Sequence, residues 1–169
     1  MSIKQIYFAA GCYWGAEKYF QNVDGVLKTE VGFVNGNTEN PLYLDVKKGE
    51  TGYAESVFIE YDDKITTIEK LLYHYFNIID PTSLNKQGED EGSQYRTGIY
   101  YVDKKERDVI NTFVESQQKL YNKPIVVEIE ELKCYYPAHD EHQKYLDKNP
   151  EGYCHISKSK IDEATTKKF

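Results

Sequence analysis

Gly11-Cys12-Tyr13-Trp14-Gly15 follows directly on the apolar run Ile6-Tyr7-Phe8-Ala9-Ala10. The run reads as a short buried strand, Gly11 permits a sharp turn, and Ala16-Glu17-Lys18-Tyr19-Phe20 reads as the start of a helix. A thiol at that junction faces the unpaired backbone N–H groups of a helix N-terminus, which favour its ionised form. Tyr13 and Trp14 offer aromatic walls, and the flanking glycines let a ligand approach the backbone. These types at this spacing suit a nucleophile beside an apolar pocket. A lone cysteine at a strand end is often plain packing, and here the aromatics and glycines weigh the other way.

Glu55, in Gly52-Tyr53-Ala54-Glu55-Ser56-Val57-Phe58-Ile59, shares a strand face with Val57, Ile59 and Tyr61. If that face is the core, burial disfavours the ionised carboxyl and suits it to general-acid work near neutral pH; otherwise it is a strand-edge Glu with its head in water. Tyr43 and Tyr95 lie on or beside long loops, where a phenol can donate to a substrate oxygen or simply pack. Near the C-terminus stand Cys134, His139, His142, Cys154 and His155, a spacing that matches no zinc finger or ribbon. Cys154, in Asn149-Pro150-Glu151-Gly152-Tyr153-Cys154, sits on a Gly-containing tail able to swing onto Cys12, whereas Cys134 reads as packing.

The elements that must position these groups alternate. Strands are expected at Ile3–Ala10, Val26–Phe33, Ala54–Tyr61, Tyr95–Val102 and Pro124–Leu132. Helices are expected over Trp14–Asn22, from a Thr66-Thr67-Ile68-Glu69 capping box to about Phe76, from Asp103-Lys104-Lys105-Glu106 to about Tyr121, and over Ala138–Asp147. Residues 35–52 read mostly as loop, with a short helix near Tyr43–Val46, and a long polar loop spans Asp80–Gly92. This order predicts an α+β, two-layer sandwich of the ferredoxin-like kind, a mixed sheet with helices on one face and long functional loops.

The 169 residues suit a single domain, with a mobile C-terminal tail from about 148 to 169 carrying Cys154. A net charge of −7 argues against a nucleic-acid surface. No apolar stretch is long enough for a membrane span, and the N-terminus lacks a signal peptide's cationic start and apolar centre. Three cysteines, an odd number, do not make a disulfide framework. The expectation is a cytoplasmic monomer that binds neither nucleic acid nor membrane.

Taken together, these segments resemble the peptide methionine sulfoxide reductase A family. GCYWG resembles that family's GCFWG signature, and NPLY, GYAES, GEDEGSQYR and NPEGYC follow in the family's order across roughly residues 6–156. The resemblance implies that Cys12 is the nucleophile and that Tyr13 and Trp14 wall the pocket for the sulfoxide methyl group. It implies that Glu55 protonates the sulfoxide oxygen, with Tyr43 and Tyr95 as hydroxyl partners, and that Asp90 helps order substrate and water. Cys154 matches a resolving cysteine. The implied cycle reduces methionine S-sulfoxide in peptides and proteins through a Cys sulfenic acid and an intramolecular disulfide, which thioredoxin or a similar dithiol reductant reopens. It needs no metal and no organic cofactor. Tyr13 stands where the signature usually has Phe, placing a hydroxyl at the pocket rim; Tyr53 stands where the family often has His, and Ala138-His139 replaces the usual Ala-Glu. The alternatives are another thiol-dependent peroxidase or reductase, and a zinc-stabilised binding module.

Overall fold

The computed structural model describes residues 3–36, 46, 51–154, 156 and 158–166. Strand β1 (Ile3–Ala10) leads into helix α1 (Tyr13–Phe20), then β2 (Val26–Val34) and β3 (Ala54–Asp62). Helix α2 (Ile68–Asn77) precedes a small hairpin, β4 (Lys86–Gln87) and β5 (Asp90–Glu91), then β6 (Thr97–Tyr101), helix α3 (Glu106–Gln118), β7 (Glu128–Glu131) and β8 (Tyr135–Pro137). Two short helices close the described chain, α4 (Tyr145–Lys148) and α5 (Lys158–Thr166).

The main sheet runs β7-β6-β1-β3-β2-β8. Its pairs are antiparallel except β6 with β7, so the sheet is mixed, as expected. The inner four strands follow the ferredoxin-like order, with β1 and β3 central and β6 and β2 outside them. Alternation decides the two faces. Ile6, Phe8, Val57, Ile59 and Tyr61 join one large core cluster with Tyr19 and Phe20 of α1, Leu71 and Tyr75 of α2, Ile110 and Phe113 of α3, and Ala164 of α5. Tyr7, Ala9, Ala54, Phe58 and Tyr100 point the other way into a small aromatic layer. The described helices therefore lie on one face of the sheet.

Tyr75 locks the centre of this sandwich to the end of β1. Its ring stacks on Phe8 at 4.6 Å. Its hydroxyl donates to Ala9 O at 2.5 Å and accepts Gly98 N–H at 2.9 Å. Ala9 and Gly98 face each other across β1 and β6, so the phenol bridges the ladder two residues before the turn into α1.

Several boundaries differ from expectation, each for a local reason. The cap of α2 is Thr67, whose hydroxyl accepts Lys70 N–H, and not Thr66 with Glu69. Asp103 accepts Lys105 N–H in a turn ahead of α3, which begins at Glu106 and stops at Gln118. The run from Pro124 pairs only from Glu128, because Ile125 N–H goes to the Gln118 side chain and Val126 N–H to Pro81 O. The helix expected over Ala138–Asp147 is split into a 3₁₀ turn (Asp140–His142) and α4, with Lys144 at φ +51° between them. The loop expected over Asp80–Gly92 contains the β4–β5 hairpin. Tyr95, expected to open a strand, ends a 3₁₀ turn (Ser93–Tyr95) before β6. The helix expected near Tyr43–Val46 falls almost wholly outside the described residues, although Val46 itself is helical and buried.

Strand β8 was not foreseen; three residues carry too little periodicity to read. It docks on β2 only because Gly32 lacks a side chain. A Cβ there would lie 2.5 Å from both the Tyr136 carbonyl oxygen and the Tyr135 ring. Gly32→Ala is accordingly expected to cost about 1–3 kcal/mol, as overpacking does. Denaturant melts of the purified variant check this, and an unchanged midpoint would mean that β8 shifts without cost.

Candidate active site

Cys12 is the N-cap residue of α1 and is only 5% exposed. Glu55, 1% exposed, reaches the same helix start from β3, where its Oε1 accepts the backbone N–H of Tyr13 at 3.3 Å. The acid therefore stands beside the thiol because β1 and β3 are neighbours and strand alternation turns Glu55 toward the helices. Glu55 is thus a buried side chain and not a strand-edge carboxyl with its head in water. Arg96 secures the adjoining chain, donating to Gly52 O just before β3, to Ser93 O beside Tyr95, and to the Glu128 carboxylate, at 2.9, 2.9 and 3.0 Å. Tyr95 is buried, and its hydroxyl lies within electrostatic reach of Glu55, Asp90 and Cys12. Asp90, on the hairpin, accepts the Tyr153 hydroxyl at 2.9 Å. Tyr43 lies outside the described residues.

Cys154 rests against the first turn of α1. A Cβ on Gly15 would stand 2.7 Å from its Sγ, so the glycine provides the space that the second thiol occupies. The thiol is held there at 3.1 Å from Ile156 O, and Ile156 is itself buried. Helix α5 follows, with Asn77 of α2 donating to Glu163 and Lys160 donating to Asn77. Cys134 stands apart, with its Sγ 3.9 Å from the Tyr53 hydroxyl and 4.0 Å from Gly36 O. Tyr53, at the position where His is common in the resembled family, is thus packed beside Cys134. Among the described residues no group of three or more His, Cys, Asp or Glu side chains could hold a metal ion; His155 falls outside them.

The aromatic pair divides. Tyr13 is fully buried, with its ring 5.7 Å from Phe33 and 6.1 Å from His142. Its hydroxyl lies inside the fold and not at a pocket rim, which corrects the expectation drawn from Tyr standing in place of Phe. Trp14 is only partly buried and stacks on Tyr145 at 3.8 Å and on His142 at 5.9 Å. Its indole N–H donates to His142 Nδ1 at 3.3 Å, so Nε2 carries the proton of the neutral ring. Burial holds the His142 pKa below the ordinary value. Sequence pattern alone does not reveal the His142 and Tyr145 contacts of Trp14, nor the Tyr153–Asp90 contact. His142 and Tyr145 belong to a segment read as one polar helix, and only tertiary packing sets them on the indole.

Electrostatics reverse one expectation. The Trp14 backbone N–H does favour the Cys12 thiolate, but burial, then the Glu55 carboxylate, outweigh it and push the thiol well above its ordinary value. Asp90 and Cys154 act in the same upward direction. These influences together favour the neutral thiol. Alkylation of Cys12 by iodoacetamide, followed by mass mapping, should therefore keep accelerating as pH rises past the ordinary thiol value. A plateau at or below neutrality would show a resting thiolate instead.

An α+β sandwich that brings a buried acid and two free thiols to the first turn of one helix belongs to the class of thiol-based oxidoreductases. Comparison with known proteins narrows the class. Residues 4–169 match the family model described as peptide methionine sulfoxide reductase. The chain is 55% identical over 161 residues to peptide methionine sulfoxide reductase MsrA of Lachnoclostridium phytofermentans, covering 95% of this chain and 97% of that protein. It is 56% identical over 156 residues to the MsrA of Clostridium acetobutylicum, covering 92% and 96%. Among solved structures it resembles reduced Mxr1 of Saccharomyces cerevisiae, with TM-score 0.86 and 34% identity over 92% of each chain. It also resembles methionine sulfoxide reductase A of Corynebacterium diphtheriae, with TM-score 0.82 and 38% identity over 90% of this chain and 78% of the other. The chain belongs to the peptide methionine sulfoxide reductase family. It is an oxidoreductase that reduces methionine sulfoxide.

Proposed function

We propose that Cys12 attacks the sulfur of the S epimer of methionine sulfoxide in peptides and proteins, while Glu55 protonates the departing oxygen. The observation that carries this reading is the Glu55 carboxyl bound to the N–H next to Cys12, which fixes acid and nucleophile on one helix turn. Protonating the sulfoxide oxygen places positive charge on sulfur beside the thiol, and that charge favours the thiolate just when it is needed. The thiol proton passes to the Glu55 carboxylate and on to the oxygen, and the S–O bond breaks as that oxygen leaves as water. Water then attacks the Cys12 sulfur, displacing methionine, returning a proton to Glu55 and leaving a Cys12 sulfenic acid. The Tyr95 hydroxyl, kept protonated by burial and the surrounding acids, is suited to steadying the oxygen as charge develops. Tyr43 takes the same role on the strength of the NPLY resemblance. Trp14, with Tyr13 behind it, supplies the wall for the methyl group, and Asp90 orders substrate and water.

Cys154 then attacks the sulfenic sulfur, forming a Cys12–Cys154 disulfide and water. A dithiol protein of the thioredoxin type reduces that disulfide back to two thiols. Access from outside fits this step: an open groove of about 590 Å³ reaches Cys154 between Leu146, Pro150, Ile156 and Ile161. Among similar proteins, yeast Mxr1 forms a complex with Trx2. Because thiols supply all the electrons, the cycle requires no cofactor. Among the described residues no helix is long and apolar enough to cross a membrane. The proposed setting is the cytoplasm, with the chain working as a monomer and its C-terminal segment leaving α1 when the disulfide forms.

Cys154→Ser tests the scheme. The first step needs only Cys12, so one methionine per enzyme should still appear in a burst, and thioredoxin-dependent turnover should then stall. Cys134→Ser should leave both phases intact. A Cys12–Cys134 bond mapped in oxidised wild type, with Cys154→Ser still cycling, would replace Cys154 by Cys134 as the resolving thiol.

A further inference from the structure

The buried residues of α1 include Tyr13, Ala16, Tyr19 and Phe20 and, among them, Glu17, which is 1% exposed. A carboxylate among core aromatics needs partners. Among the described residues Glu17 accepts two hydrogen bonds: Oε1 takes Lys144 N–H at 2.6 Å and Oε2 takes the Thr29 hydroxyl at 3.0 Å. Lys144 is in the left-handed region, φ +51° and ψ +39°, unfavourable for a residue with a Cβ. The preceding side chain holds the same reversal from the other side. Gln143 Oε1 accepts Val31 N–H at 2.8 Å, while Nε2 donates to Val31 O at 2.8 Å and Ala138 O at 3.0 Å. That amide clamps β2 just past β8, which pairs with Gly32 to Val34, and shares Val31 O with the backbone N–H of Ala138. Immediately flanking this pinned reversal are His142 and Tyr145, the two rings that pack on Trp14.

We propose that Glu17 is a positioning residue for the substrate pocket: by fixing Lys144 in its left-handed turn, it aligns His142 and Tyr145 against Trp14 and so sets the wall that receives the sulfoxide. This rests on Trp14 being that wall. Glu17 itself never meets the substrate. What it supplies is an acceptor at a fixed reach, so a neutral amide of the same length should serve, whereas a shorter side chain should not.

Trp14 is the only tryptophan in the chain, so its fluorescence reports this packing alone. The test compares wild type, Glu17→Ala, Glu17→Gln, Trp14→Ala and the Glu17→Ala/Trp14→Ala double variant, using a methionine sulfoxide peptide in single turnovers. Glu17→Ala should shift Trp14 emission to the red and expose it to quenching by acrylamide. It should raise the half-saturating peptide concentration about tenfold, the scale of a lost aromatic contact. Its maximal rate should stay within about twofold of wild type, because ground-state binding is what the brace serves. Glu17→Gln should restore both readouts. The double variant should be no worse than Trp14→Ala, since both act through one wall. If Glu17→Ala does not fold, Glu17→Asp, which keeps the charge but falls short of Lys144, must show the same red shift and weaker binding. Unchanged emission and half-saturation in a folded Glu17→Ala or Glu17→Asp, with Trp14→Ala impaired, would overturn the brace and leave the wall standing. Unimpaired binding by Trp14→Ala would remove the wall and the brace with it.

Discussion

Cys12→Ser is expected to yield no methionine at all, not even a single-turnover burst, in a protein whose melting temperature is close to wild type. Serine is nearly isosteric, and the site favours the neutral thiol, so no charge pair is lost on substitution. The Trp14 N–H can meet a hydroxyl as it meets the sulfur. The hydroxyl, however, is a far weaker nucleophile toward sulfur and cannot become a sulfenic acid. Electrospray mass of the peptide after incubation with stoichiometric enzyme reads the result. Any burst from a folded Cys12→Ser protein would move the nucleophile elsewhere.

Glu55→Gln is expected to slow methionine formation in single turnovers by roughly 10²–10⁴-fold, the usual worth of a positioned general acid. The amide oxygen can still accept Tyr13 N–H, so the turn into α1 should keep its shape. A second readout moves in the opposite direction. The Glu55 carboxylate helps hold the Cys12 thiol protonated, so its removal should make Cys12 easier to ionise and faster to alkylate at a given pH. Faster alkylation with slower sulfoxide reduction separates a proton donor from a group that merely tunes the thiol. If both rates rose together, Glu55 would not be the acid.

Much of the candidate site was legible locally. An apolar run, a glycine and the helix start at Ala16-Glu17-Lys18-Tyr19-Phe20 made the strand–turn–helix around Cys12 readable, because periodicity and turn chemistry act over a few residues. Alternation along β3 was enough to turn Glu55 toward the same face as Val57 and Ile59. The ordered set of GCYWG, NPLY, GYAES, GEDEGSQYR and NPEGYC named the family before any contact was known. Glu17 also left a signal, a charged side chain at the helical spacing of Tyr13, Ala16 and Phe20, although it went unread.

What only the tertiary structure decided depends on groups far apart in the chain. Position at a helix N-terminus alone argued for a thiolate at Cys12; enclosure by the fold and the arrival of Glu55, Asp90 and Cys154 turned the balance toward the thiol. The periodicity of 138–147 favoured one helix, yet the pull of Glu17 on Lys144 N–H and of Gln143 on Val31 broke it in two. That break puts His142 and Tyr145 on Trp14. The seat of Cys154 over Gly15 likewise exists only once the C-terminal segment has folded back across α1, about 140 residues along the chain from the helix it covers. Sequence pattern reports what each segment prefers by itself; burial, charge and register are properties of the assembled neighbours.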